Sequence, residues 1–159
     1  MESEAGKIAG KTAGDIMTPD PITVGPKASV TEAAHLMVDN RVGALPVLEG
    51  ERLVGIVTEG DLIMQDVKLE FPTYIHLLDG MIMYPPATAR FEDELRKAVA
   101  ASVRAVMTED VITVQADTSI EDVATLFVGR RVSHIPVLEQ ERLVGIVSKS
   151  DVVRSLVEE

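Results

Sequence analysis

The sequence predicts an α/β fold of the α+β type: two β-α-β-β-α repeats joined by a helical connector. Three observations predict it. The two halves of the chain align at a shift of 90 residues without a gap, each half carries a helical apolar stripe followed by two apolar runs around a tight turn, and the stretch between the halves has helical periodicity. Over 15–65 against 105–155, 24 of 51 positions are identical, which excludes chance, so the halves share one fold. MTPDPITV (Met17 to Val24) lies over MTEDVITV (Met107 to Val114), and RVGALPVLEGERLVGIVTEGD (Arg41 to Asp61) over RVSHIPVLEQERLVGIVSKSD (Arg131 to Asp151). The expected organisation is a tail over 1–13, a first repeat over 14–65, a connector over 66–103 and a second repeat over 104–159.

The elements follow in order. Ile22 to Val24 is a short β-favouring run closed by Gly25 and Pro26. Ser29 opens a helix with Glu32 three places on, a capping-box spacing, and Thr118 with Glu121 repeats that signal. Val30, Ala33, Ala34, Met37 and Val38 recur at helical spacing, as do Ile120, Val123, Ala124, Phe127 and Val128, so both helices are expected to bury one equivalent face. LPVLE and RLVGIV then form two runs nearly unbroken in Val, Ile and Leu, suited to strands covered on both faces and separated by a hairpin-length turn. Thr58, or Ser148 in the second copy, opens the closing helix.

In the connector, Pro72 suits the first turn of a helix whose Ile75, Leu78, Met81 and Ile82 share a face, and Pro85-Pro86 stops it. Phe91, Leu95, Ala98 and Val99 mark a second amphipathic helix, with Glu92, Asp93 and Glu94 near its positive end. The first of these apolar faces suits a core or dimer contact. A ligand site and a membrane surface are the alternatives.

Composition narrows the chemistry. Hydrophobic residues make up 46% of the chain and charged ones 26%, enough for a packed core and too apolar for disorder. Aromatic residues are only 3% and Trp is absent, so platforms for stacking bases are scarce. The formal charge of −11 repels polyanions, which argues against nucleic acid and anionic membranes as partners. Without cysteine there are no disulfides, thiolate metal sites or Cys nucleophiles, and the three His lack HxxxH spacing, so no metal and no resident cofactor are expected. No apolar run reaches about 18 residues and the opening MESEAGKIAGKTAGD has no signal-peptide core. A cytoplasmic protein without direct membrane insertion is the expectation.

The most informative segments are GIVTEGD (Gly55 to Asp61) and GIVSKSD (Gly145 to Asp151), each a strand end, a hydroxyl residue and an acid three places later. A strand running into a helix N-terminus exposes unpaired N–H groups that favour anionic atoms. The carboxylate of Asp61 or Asp151 suits the two vicinal hydroxyls of a ribose, and Thr58 or Ser148 adds a hydroxyl contact. The same spacing also satisfies a capping box with Asp in place of Glu, so the pattern alone leaves both readings open. Arg41 and Arg131 are either phosphate ligands or solvated stems, and His134, where the first copy has Ala44, is either a ligand contact or an ordinary polar residue.

Taken together, MTxDxITV followed by RVxxxPVLExERLVGIV[TS]xxD, occurring twice, resembles the cystathionine-β-synthase (CBS) domain pair, or Bateman module, over 14–159. The resemblance implies two repeats packed with pseudo-twofold symmetry, two clefts, homodimerisation, and a ligand such as AMP, ADP, ATP, S-adenosylmethionine or NAD(H). Carried over by residue, one cleft takes Thr58 and Asp61 for the ribose, Ile112 beside the base and His134 near phosphate. The other takes Ser148 and Asp151 with Ile22 and Ala44. Lys149 and His134 face Glu59 and Ala44 at the matching positions, so the two sites are expected to differ. The scarcity of basic residues favours a monophosphate or a sulfonium ligand.

A regulatory sensor acting on an effector protein is the leading expectation. The effector then acts in trans, or the chain is a piece of a longer protein. A structural dimerisation module with empty clefts is the alternative. An enzyme is not expected, because there is no P-loop, no GxSxG elbow and no base paired with a nucleophile.

Overall fold

The computed structural model describes residues 10–64 and 101–158. The first half contains α1 (Ala13–Ile16), β1 (Thr18–Pro19), α2 (Val30–Asn40), β2 (Ala44–Glu49), β3 (Arg52–Thr58) and a helix α3 over 59–64. The second contains α4 (Val103–Val106), β4 (Val114–Gln115), α5 (Ile120–Gly129), β5 (His134–Glu139), β6 (Arg142–Ser148) and α6 (Lys149–Ser155). Helices and sheets are thus mixed in the α+β manner, and the order of elements repeats. Both connector helices expected between Pro72 and Val99 lie outside the described residues.

Sequence repeats and compact units partition the chain differently. Among the described residues the first unit gathers 10–22, 48–54 and 110–158, and the second gathers 23–47, 55–64 and 101–109. Each unit therefore takes its short leading segment from the other copy.

In the first unit a four-stranded sheet runs in the order β1-β6-β5-β4. β5 and β6 form an antiparallel hairpin from His134↔Ser148 to Glu139↔Arg142, β4 adds in parallel at Val114↔Val137, and β1 adds antiparallel at Thr18↔Ile146 and Pro19↔Gly145. Gln140 and Glu141 both have positive φ, 51° and 64°, the backbone that a two-residue hairpin loop of right-handed twist requires. The core is Ala13, Val114, Val123, Phe127, Ile135, Val137 and Val147. α1 is tied in by two backbone bonds, Ala13 N–H to the Thr118 carbonyl and Gly14 N–H to the Ala116 carbonyl, each 2.8 Å.

The second unit repeats this plan. β2 pairs with β3, Val24 bridges Val47 in parallel, and Thr108 bridges Ile56 antiparallel through N–H···O bonds of 2.9 and 3.0 Å. Its α4 is held by the Val103 N–H on the Ala28 carbonyl, 2.8 Å. Ala33, Met37, Leu45, Val47, Val57 and Val103 are buried, as are their partners 90 residues away, Val123, Phe127, Ile135, Val137, Val147 and Ala13.

The glycine in VGIV has a steric cause. A Cβ on Gly145 would run into the side chain of Met17, 2.7 Å from its Cγ, and one on Gly55 would stand 3.0 Å from both Met107 Cγ and the Thr108 carbonyl oxygen. The Met of each MTxD motif thus lies against the glycine of the other copy's strand.

Three expectations need correction. The run Ile22 to Val24 contributes only the Val24 bridge, and the leading strand is Thr18–Pro19 instead. Asp20 turns the chain with φ 47° just before the run, and Ile22 and Thr23 stay outside any ladder, as Ile112 and Thr113 do in the second copy. The cap of α5 is Ser119, accepting from the Asp122 N–H, whereas Thr118 Oγ1 accepts from the Gln115 N–H at 3.0 Å. Val38 and Val128 do not join the buried face, being 75% and 90% exposed. Each lies one residue, about 100° around the helix, past the buried Met37 or Phe127.

Candidate functional site

The chemistry-bearing residues sit where an inner strand hands over to the closing helix. At the end of β6, Ser148 has extended backbone, φ −105° and ψ 165°, and caps α6. Its Oγ accepts from the Asp151 N–H at 3.2 Å, while Asp151 Oδ2 accepts from the Ser148 N–H at 2.8 Å. The first copy repeats the box: Asp61 N–H to Thr58 Oγ1 at 3.3 Å and Thr58 N–H to Asp61 Oδ2 at 2.9 Å. Capping chemistry is therefore present at both junctions. It engages one oxygen of each carboxylate and fixes where the other oxygen lies. Asp151 is buried, and its Oδ1 accepts from Arg154 Nη1 at 3.2 Å.

Thr58, Asp61 and Ala44 belong to the second unit, and Ile22, Ile112, His134, Ser148, Lys149 and Asp151 to the first. The sheet brings His134 opposite Ser148 in register. Ser133 Oγ lies 2.9 Å from His134 Nδ1, which orients the imidazole. The equivalent places in the first copy hold Gly43 and a buried Ala44. Ile22 and Ile112 are half-buried, Thr58, Asp61, Ser148 and His134 likewise, and Lys149 and Glu59 are exposed. Thr58 and Asp61 thus come together, as do Ser148, Asp151 and His134, while each cleft set carried over from the sequence draws on both units.

Two contacts were missed in the sequence. Arg154 follows Asp151 at i+3, a spacing at which opposite charges meet on a helix, and Ser133 adjoins His134. Arg41 has a local role: it is the left-handed C-cap of α2, φ 53°, with its N–H on the Met37 and Val38 carbonyls. Among the described residues no three His, Asp or Glu are grouped to hold a metal ion, and no helix is long and apolar enough to cross a membrane.

The family model of the CBS domain matches the chain twice, over 13–67 and 103–158. The chain belongs to the CBS-domain family. With two such matches it is a tandem CBS pair.

Among relatives of the CBS pair, protein MJ1426 of Methanocaldococcus jannaschii is 30% identical over 151 residues, spanning 90% of this chain and 89% of its own. The crystal structure of the Arabidopsis thaliana protein CBSX2 in complex with AMP superposes with a TM-score of 0.69 at 29% identity, over 92% of this chain and 96% of that one. The CBS pair of protein MJ0100, in complex with 5′-methylthioadenosine and S-adenosyl-L-methionine, gives a TM-score of 0.66 at 25% identity, over 91% and 94%.

Proposed function

We propose that this CBS pair is a regulatory sensor of an adenosine ligand, acting without catalysis on an effector protein. The observation that carries the reading is the matching geometry of Asp61 and Asp151. In both, the cap holds Oδ2 on a backbone N–H, which fixes the carboxylate before any ligand arrives and leaves Oδ1 as the ribose acceptor, so capping and ribose recognition use different oxygens. Pre-set acceptors of this kind lose little freedom on binding. Thr58 with Asp61, and Ser148 with Asp151, are the ribose contacts; Ile22 and Ile112 are the apolar neighbours of the base; His134 and Lys149 are the phosphate-side groups. Ala44 leaves the matching place in the first copy small. AMP bound by CBSX2, and methylthioadenosine and S-adenosylmethionine bound by MJ0100, support the adenosine class, and the few basic side chains favour AMP or the sulfonium over ATP.

Ligand binding in this reading favours one conformational state of the pair and so changes how the effector is engaged. Homodimerisation belongs to the same proposal. Val38 and Val128 are exposed at equivalent places of the two copies, as are Ile63 and Val153, 62% each, and exposed apolar side chains repeated in this way suit a self-complementary face. The cytoplasm is the proposed location.

Isothermal titration with AMP and S-adenosylmethionine tests the sensor. Asp61→Asn and Asp151→Asn retain an oxygen for the backbone cap and lose the charge. The double variant is expected to lose about 1.5–3 kcal/mol of binding, roughly ten- to a hundred-fold in affinity. Equal affinities in variant and parent would refute the ribose role.

A further inference from the structure

The two carboxylates proposed to accept a ribose are not equivalent. Oδ1 of Asp151 accepts from Arg154 Nη1 at 3.2 Å. The counterpart of Arg154 in the first copy is Met64, which has no donor, and among the described residues Oδ1 of Asp61 carries no hydrogen bond. The side chain of Asp151 is 10% exposed against 56% for Arg154. The guanidinium therefore comes from the solvent side onto the one oxygen that the cap leaves open. Met64 is itself 55% exposed, so each residue can be exchanged for the other without touching a core.

Resting on the adenosine reading above, we propose that Arg154 is a specificity-determining residue that competes with the ribose hydroxyls for Oδ1 of Asp151 and makes Asp61 the preferred nucleoside acceptor. A vicinal diol offers two neutral O–H donors. Against a carboxylate already bonded to a backbone N–H and a guanidinium, one hydroxyl must share or displace a cationic donor, whose bond to the carboxylate carries charge on both partners where the hydroxyl's carries it on one. At Asp61 the same hydroxyl meets an oxygen that, among the described residues, holds no cationic donor. Arg154 is solvated, so the effect is that of an exposed ion pair, about two- to five-fold in affinity. The inequality between the sites thus lies at the ribose as well as at the phosphate side, where His134 and Lys149 differ from Ala44 and Glu59.

The test uses adenosine, which has no phosphate for Arg154 to attract. In an Asp61→Asn background, titration calorimetry reads the Asp151 site, and adding Arg154→Met is expected to tighten adenosine about two- to five-fold. In an Asp151→Asn background, adding Met64→Arg is expected to weaken adenosine by a similar factor. Thermal unfolding without ligand checks that each variant is folded. Unchanged or weaker binding on Arg154→Met overturns the role of Arg154. Failure of the parent chain to bind adenosine at all refutes the sensor reading itself, so the two failures are distinguishable.

Discussion

Gly145→Ala probes the joint between the copies most directly. The residue has no positive φ, so alanine is allowed by the backbone, and the cost is steric. The added Cβ would overlap the Met17 side chain, reaching 2.7 Å from its Cγ and 3.0 Å from its Cβ, where carbon pairs are at rest at about 3.5–4.0 Å. Met17 cannot simply rotate away, since its own Cβ is one of the atoms struck and the next residues pair as Thr18↔Ile146 and Pro19↔Gly145. Overpacking of this kind costs about 1–3 kcal/mol, offset by about 0.4–1 kcal/mol from the stiffer unfolded chain. Contacts this short place the overlap at the upper end of the overpacking range, about 2–3 kcal/mol, so the net is about 1–2.5 kcal/mol, a fall in Tm of about 2–10 °C at this chain length. Urea denaturation and calorimetry of Gly145→Ala, Met17→Ala and the double variant form the cycle. The double variant should recover at least about 0.5 kcal/mol relative to the sum of the singles. At Gly55 the Cβ meets a backbone oxygen, Thr108 O at 3.0 Å, as well as Met107, so Met107→Ala should rescue Gly55→Ala less well. Simple additivity at Gly145, or an unaffected Gly145→Ala, would show that the Met17 contact does not hold the segment.

Two further outcomes are expected. Ser119→Ala should destabilise the chain by about 0.5–2 kcal/mol by removing the acceptor for the Asp122 N–H, measured by urea midpoint, and should cost more than Thr118→Ala, which loses only a turn contact; the reverse order would restore Thr118 as the cap. Val38→Ser with Val128→Ser, both on exposed positions, should shift the mass measured by light scattering toward monomer with little change in helical circular dichroism, and an unchanged mass would remove these faces from the dimer proposal.

Much of the local structure was legible in the residues. The cap at Ser29, the helical stripes centred on Met37 and Phe127, and the hairpins around Gly50 and Gln140 depend on neighbours in the chain, and composition encodes those. Register was harder. Thr118 with Glu121 and Ser119 with Asp122 both fit the capping spacing, and only the position matching Ser29 under the 90-residue shift selects Ser119. Long-range partnership left no periodic trace: nothing in MTPD says that Met17 will lie on Gly145, although a glycine within an otherwise β-branched strand is the mark of a close approach. At the site, the acid and hydroxyl of each junction could be read from the motif. The guanidinium on Asp151 could have been read from its i+3 spacing, but whether Oδ1 or solvent takes the Arg depends on side-chain conformation, which spacing alone does not fix.

The crossing of leading segments between copies bears on how such a chain could arise. A lone half would be an unfinished object, with a bare glycine on its inner strand and a methionine that has no place to rest. Two separate halves could finish one another only by trading ends, as in a swapped dimer, and that reaction is as rare as the protein is dilute. Fusing the halves replaces the encounter with a tether, which turns the exchange into an intramolecular step. Duplication, in these terms, makes completion of each unit independent of how much protein the cell contains, and leaves each copy free to drift apart at the places, such as 64 and 154, that the exchange does not use.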